Sequence, residues 1–128
     1  MTKRPTLPDA VAAPTSGTAG VNEVHLVGRV SSTPEERALP SGDCVILFRL
    51  VVPRAPGRAG AATVDTIDIA CWSARARRSA ARLRPDDVAE VEGSLRRRFF
   101  SAGGGPASRY EVEARAVRRA STRTDPRD

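Results

Sequence analysis

The chain has little of what catalytic and membrane-spanning proteins display. It contains one histidine, His25, and two cysteines, Cys44 and Cys71, which sit in apolar runs without the spacing of a metal site. No nucleophile is arranged around His25 in sequence, so the reading is a non-enzyme with no catalytic constellation, no cofactor and no metal. The cysteines read as small buried thiols of a reducing cytoplasm, with a disulfide open but not favoured. No apolar run approaches the roughly 18–20 residues of a membrane span. Pro8, Asp9 and Pro14 interrupt the only apolar patch near the start, which argues against a signal peptide. A soluble, cytoplasmic (nucleoid-associated) protein is expected. Lys3 is the only lysine, so nearly all of the positive charge is arginine, which suits phosphate and stacking better than lysine does. Aromatic residues make up 4% of the chain, so the position of each ring carries weight.

What is present points to a polyanionic partner. The formal net charge is +6 and the isoelectric point 10.8, a balance that favours nucleic acid over an acidic-substrate pocket. Richness in Ala, Arg, Gly and Pro is also what a GC-rich genome produces, so position has to decide. At 128 residues one domain is expected. Residues 1–20, rich in Thr, Ala, Pro and Gly and without period, read as a disordered arm. The folded domain is expected over 21–119, and 120–128 as a flexible C-terminus.

Glu23–Val30 alternates, placing Val24, Leu26, Gly28 and Val30 on one face. A glycine inside such a run predicts a bulge or a close backbone approach. Ser31–Asp43 supplies turn chemistry. Cys44–Pro53 reads as a strand with Ile46, Phe48, Leu50 and Val52 toward the core and Arg49 on the other side. In Val64–Trp72, Ile67, Ile69 and Cys71 oppose Thr66, Asp68, Ala70 and Trp72, so Trp72 lies either under another element or exposed for use. Ser73 is an N-cap for a helix over Ala74–Arg84 carrying Arg75, Arg77, Arg78, Arg82 and Arg84. These arginines either extend a ligand path or keep the helix solvated. A long strand, Val88–Phe100, a glycine-rich loop, Ser101–Ser108, and a last strand, Tyr110–Val117, follow, with Arg118–Asp128 frayed. Five strands with one helix between the third and fourth give an all-β class and the layout of an OB-fold, a Greek-key barrel that commonly binds oligonucleotides.

The run V-E-G-S-L-R-R-R-F-F, Val91–Phe100, places three arginines before two phenylalanines. Cation beside ring is what holds a nucleic-acid strand, since charge meets phosphate while rings stack on bases. Alone, the run reads more readily as a solvated arginine face with a phenylalanine pair in the core. Alternation divides it: Arg96, Arg98 and Phe100 share one face, opposite Ala89, Val91, Gly93 and Leu95, while Arg97 and Phe99 point the other way as structural or hairpin-stabilising residues. The glycine triplet Gly103–Gly105 lacks the Lys-Ser/Thr of a phosphate loop. Asp65, Asp68, Glu90 and Glu92 are expected to face solvent or pair with arginine.

Taken together, these segments resemble the bacterial single-stranded DNA-binding proteins of the OB-fold type. The likeness rests on V-N-E-V-H-L-V-G-R-V (Val21–Val30), T-P-E-E-R (Thr33–Arg37), L-P-S-G (Leu39–Gly42), F-R-L-V-V (Phe48–Val52), the Val91–Phe100 run against I-E-G-x-L-R-x-R-x-W, and Arg109-Tyr110 against the R-Y that opens the family's last strand. The resemblance covers roughly Val21–Arg119. It implies sequence-tolerant binding and protection of single-stranded DNA in replication, recombination or repair, and a homotetramer. Phe100 falls at a stacking tryptophan, Trp72 at a second stacking aromatic, and Arg96 and Arg98 where the strand grips backbone; Arg49 and Arg75 complete the expected DNA-binding set.

Three departures qualify the likeness. Thr66 stands where the family has another ring, and no aromatic falls near Pro53–Pro56. Asp68 puts a carboxylate on the ligand face, which repels phosphate unless an arginine neutralises it. The chain ends D-P-R-D rather than in the family's acidic, Phe-tipped tail, which leaves recruitment of replication and repair partners through that tail in doubt. The other reading is an OB-fold protein-interaction module, or an RNA binder, that has lost strong affinity for single-stranded DNA.

Overall fold

The computed structural model describes residues 20–55 and 63–121. The expected N-terminal arm, most of the loop after Pro53 and the last seven residues lie outside them. Six strands and one helix follow in order: β1 (Val24–Val30), β2 (Glu35–Ala38), β3 (Cys44–Pro53), β4 (Val64–Cys71), α1 (Ala74–Ala80), β5 (Val88–Ala102) and β6 (Gly105–Ser121). The sheet order is β1-β5-β6-β4-β3-β2, and β1 also pairs with β3 at Arg29↔Val51 and Val30↔Leu50, so the sheet closes on itself. Five strands closed in this order, with a helix between β4 and β5, make the OB-fold.

Alternation explains the strands that close the barrel. Val30, Phe48, Leu50, Ile69, Cys71, Ala89 and Val91 are buried in one cluster, with Val24, Leu26, Val52 and Ile67 packed against it. Ala76 and Ala80 of α1 and Leu83 beyond it join the same cluster. Both cysteines are free; burial pushes the Cys71 thiol up to about 12, so it stays protonated and inert at neutral pH. Gly28 and Gly93 allow the backbone approaches that a barrel this tight requires. A Cβ at Gly28 would lie 2.5 Å from the Val51 carbonyl oxygen, and one at Gly93 only 2.0 Å from that of Glu113. The ladder between β5 and β6 shifts register next to Gly93, between Glu92 and Gly93.

The structure departs from the sequence reading at three places. The turn expected over Ser31–Asp43 contains a sixth strand, β2, whose four residues are all exposed. Neither face is buried, so no alternation marks it; backbone pairing to β3 from Glu35↔Leu47 to Ala38↔Cys44 forms it instead. The expected turn survives as Leu39–Asp43, closed by Leu39 N–H to the Asp43 carbonyl at 2.8 Å, with Gly42 at φ +96. The helix ends at Ala80, not Arg84. Its N-cap is as read, with Ser73 Oγ accepting from Ala76 N–H at 3.1 Å. After Ala80 the chain tightens to i→i+3 bonds, Arg82 N–H to Ser79 O and Leu83 N–H to Ala80 O. The Asp87 carboxylate then accepts from Arg84 N–H at 2.8 Å, and Asp86 stands at φ +75.

The third departure is the hairpin. The loop expected over Ser101–Ser108 shrinks to Gly103 and Gly104, because β5 and β6 stay paired out to Ala102↔Gly105. At the other end β6 continues through Ser121, beyond the expected Val117, still paired with Val88. Beyond Arg96↔Glu111 the two strands pair only with each other, so the hairpin leaves the barrel as a two-stranded arm.

Candidate nucleic-acid interface

One face of the sheet gathers most of the residues singled out in the sequence. On β5, Arg96, Arg98 and Phe100 alternate along the face opposite Val91, and their side chains meet Glu113, Glu111 and Arg109 of β6 diagonally across the ladder. The Arg98 guanidinium lies over the Trp72 ring, 5.2 Å from its centroid, and that of Arg109 over Phe100 at 5.8 Å. Two ring–cation pairs thus stand side by side, one where β4 ends and one on the arm. Trp72 is half-buried, and its Nε1 is buried without a hydrogen-bond partner among the described residues. A buried unpaired N–H costs about 1–3 kcal/mol, so this indole gains from any acceptor brought to it.

The arginines on this face are not free charges. Arg98 Nε donates to Glu111 at 2.7 Å and its Nη2 lies 3.6 Å from Glu113; Arg96 Nε donates to the same Glu113 at 3.1 Å. Glu111 is only 4% exposed, so Arg98 is its essential counter-ion. Arg49 donates to Asp68 at 3.0 Å, which neutralises the carboxylate that would otherwise face the ligand. Arg54 pairs with Asp65 in the same way at 2.9 Å. Each of these guanidinium groups is therefore oriented by a carboxylate through a charge-assisted hydrogen bond rather than left as a loose side chain.

Between β2 and the arm runs a cleft of about 240 Å³ floored by Leu47, Arg49, Asp68 and Glu111, with Arg37 and Arg109 on its walls. Neither Arg37 nor Arg109 belonged to the expected contact set. Arg37 was hidden because β2 itself was; it pairs with Glu35 at 3.2 Å. Arg109 had a signal, since it is the register partner of Arg98, but the pairing emerges only once the arm is known to continue past Tyr110.

Arg75 is the expected residue that the fold places elsewhere. It lies in a separate depression with Ser79, Glu90, Glu92 and Arg118. His25 Nε2 and Glu90 are hydrogen-bonded at 2.5 Å, and Arg118 pairs with the same carboxylate, so His25 first and Arg118 second hold Glu90 below the usual carboxylate range. Ligand atoms of His25, Glu90 and Glu92 lie within 4.8 Å of one another, but arginines already occupy both carboxylates, Arg115 being 4.0 Å from Glu92.

With this geometry in place, comparison with known proteins decides the family. The model of the Single-strand binding protein family matches residues 21–120. The chain belongs to that family. Single-stranded DNA-binding protein A of Bacillus subtilis is 33% identical over 99 residues, 76% of this chain and 58% of the relative. The single-stranded DNA-binding protein of Bacillus cereus is 34% identical over 86 residues, 66% of this chain and 51% of that protein. The chain thus spans a little over half the length of these curated relatives. Among solved structures, the Plasmodium falciparum SSB complex with ssDNA aligns with a TM-score of 0.66 at 21% identity, covering 77% of this chain and 92% of that one. That likeness carries the OB-fold. Among the described residues no helix is long and apolar enough to cross a membrane.

Proposed function

We propose that this chain binds single-stranded DNA, as the names of its relatives say of them, and that it does so without sequence preference, protecting the strand in replication, recombination or repair in the bacterial cytoplasm. The observation that carries this reading is the pair of ring–cation units, Arg98 on Trp72 and Arg109 on Phe100, on one face beside the Arg49–Asp68 cleft. Rings supply base stacking worth about 1–3 kcal/mol each, and the oriented guanidinium groups supply phosphate contacts. The role is binding rather than catalysis, and no cofactor enters it.

Salt dependence tests the proposal. Affinity for oligo-dT is expected to fall with rising salt at a slope of about −0.7 per phosphate neutralised, so three or four contacts give a slope between roughly −2 and −3. Affinity independent of salt, or no binding at low salt, overturns it. The neutralised arginines support a second reading, a protein-interaction module with weak strand affinity. A salt slope near zero with a retained protein partner would favour that module, and tighter binding of a matched RNA strand would favour an RNA role.

We further propose a homo-oligomer, a homotetramer by resemblance. Val24, Leu26, Ile67, Leu95 and Val112 line a groove, together with Thr66, Asp68, Tyr110 and Glu111, that a second copy would close. Light scattering is expected to give four times the 13.6 kDa of one chain, and Leu95→Arg to lower that mass. A monomeric wild type contradicts the assembly.

A further inference from the structure

The arm that carries Phe100 on one face carries a second ring–cation group on the other. Arg97 lies over the Phe99 ring at 4.9 Å and over Tyr110 at 5.6 Å, so its guanidinium is flanked by both rings. Arg97 Nε donates to Ser108 Oγ at 3.2 Å, which fixes the guanidinium across the ribbon. Phe99 is the most exposed large apolar side chain among the described residues, at 72%. A two-stranded ribbon is marginally stable by itself in water, and rings held out on it gain nothing from the core. Burial does not account for them.

The charges on the two faces differ. The carboxylates at the base of the arm, Glu111 and Glu113, both lie on the Phe100 face and are paired with Arg96 and Arg98. On the Phe99 face, Arg97 has no carboxylate within ion-pair distance among the described residues, and its hydrogen-bond partner is a neutral hydroxyl. A surface of rings and an uncompensated guanidinium, free of acid, is complementary to stacked bases and phosphate. It is poorly matched to the purely apolar face of a protein partner.

We propose that Arg97 and Phe99 form a second single-stranded nucleic-acid subsite, so that a strand leaving the Trp72–Phe100 face continues around the arm and stacks on Phe99. The inference rests on the strand-binding reading above. It predicts that the arm is gripped from both sides, the strand passing near the Gly103–Gly104 turn, where added Cβ atoms would meet nothing within 4 Å.

The test uses the full chain, with an oligo-dT of about 8 nucleotides, within the roughly 4–16 nucleotides typical of one OB-fold, and one of about 30, well beyond it. In Arg97→Ala/Phe99→Ala, affinity for the long strand is expected to fall about ten-fold or more, with the short-strand affinity unchanged. Arg97→Ala alone is expected to reduce the salt slope for the long strand by about 0.7. Phe99→Tyr, which keeps a ring, should restore long-strand binding. Equal affinities of wild type and double variant for both lengths overturn the subsite while leaving the Trp72–Phe100 face intact. So does an equal loss on both lengths, which would make Phe99 part of the first face. A fall in mass by light scattering would assign the face to a second copy and also overturn the proposal. If the wild type binds neither strand, the strand-binding reading itself fails and the subsite with it.

Discussion

Gly93→Ala is expected to destabilise the chain by about 3 kcal/mol or more, against the 5–15 kcal/mol that typically separates a folded domain from its unfolded state. A Cβ at this position would sit 2.0 Å from the Glu113 carbonyl oxygen, 2.9 Å from its carbon and 3.0 Å from Ala114 Cα. All three are backbone atoms, so no side chain can turn aside to make room. Relief requires prising β5 from β6 beside the Glu92/Gly93 register shift, where the two strands hold the buried Val91 and Ala114. Overpacking ordinarily costs 1–3 kcal/mol when neighbours can adjust; here the neighbour is a ladder. Gly103→Ala, at the tip of the same hairpin with open space around it, is the control and should shift stability little. Urea unfolding midpoints measure both. Equal midpoints for the two variants would show that the close approach carries no energetic weight.

Phe100→Ala is expected to weaken binding to oligo-dT about ten-fold or more while leaving the thermal midpoint unchanged. The magnitude follows from one lost base–ring stack, about 1–3 kcal/mol, where 1.4 kcal/mol is a factor of ten. Phe100 is the clean probe because it is 46% exposed and meets a guanidinium rather than the core. Arg98→Ala should lose at least as much affinity, but by two routes. It removes a phosphate donor, and it strips the nearly buried Glu111 of its counter-ion. Breaking such a pair from one side costs about 3–5 kcal/mol, so the fold itself will suffer. Combining Arg98→Gln with Glu111→Gln separates the routes: stability should recover and affinity should not. A Phe100→Ala chain with wild-type affinity would remove the arm's outer ring from the ligand path.

The parts of this fold that the sequence revealed are those where burial imposes a period. Val24 to Val30, Ile46 to Val52, Ile67 to Cys71 and Ala89 to Gly93 alternate because one side of each strand meets the core, and that same alternation puts Arg96, Arg98 and Phe100 on the opposite face; Leu95, expected on the core side, is 45% exposed where the strand leaves the barrel. Where burial is absent the period vanishes. Glu35–Ala38 is exposed throughout, and the Gly-, Ser- and Arg-rich tip of the arm is ordered by backbone pairing rather than packing. The helix was read four residues too long because Leu83 keeps helical spacing while its backbone has already turned. Likewise the site's rings and their side of the sheet were legible, but the ion pairs were not. That Glu111 lies buried under Arg98, and that Arg109 stands across from it, depends on the β5–β6 register. Arg97 and Phe99, expected to be structural or hairpin-stabilising, lie against one another, and the Phe99 ring projects into solvent.

On the proposed function, a strand is held on the face where Arg98 covers Trp72. Trp72 is the chain's single tryptophan, so its emission reports that face alone. Titrating the wild-type chain with oligo-dT at low salt is expected to quench the emission to a plateau, and added salt to restore it as the strand dissociates. Emission unchanged through saturating oligo-dT, with the strand bound or unbound by an independent assay, would contradict it.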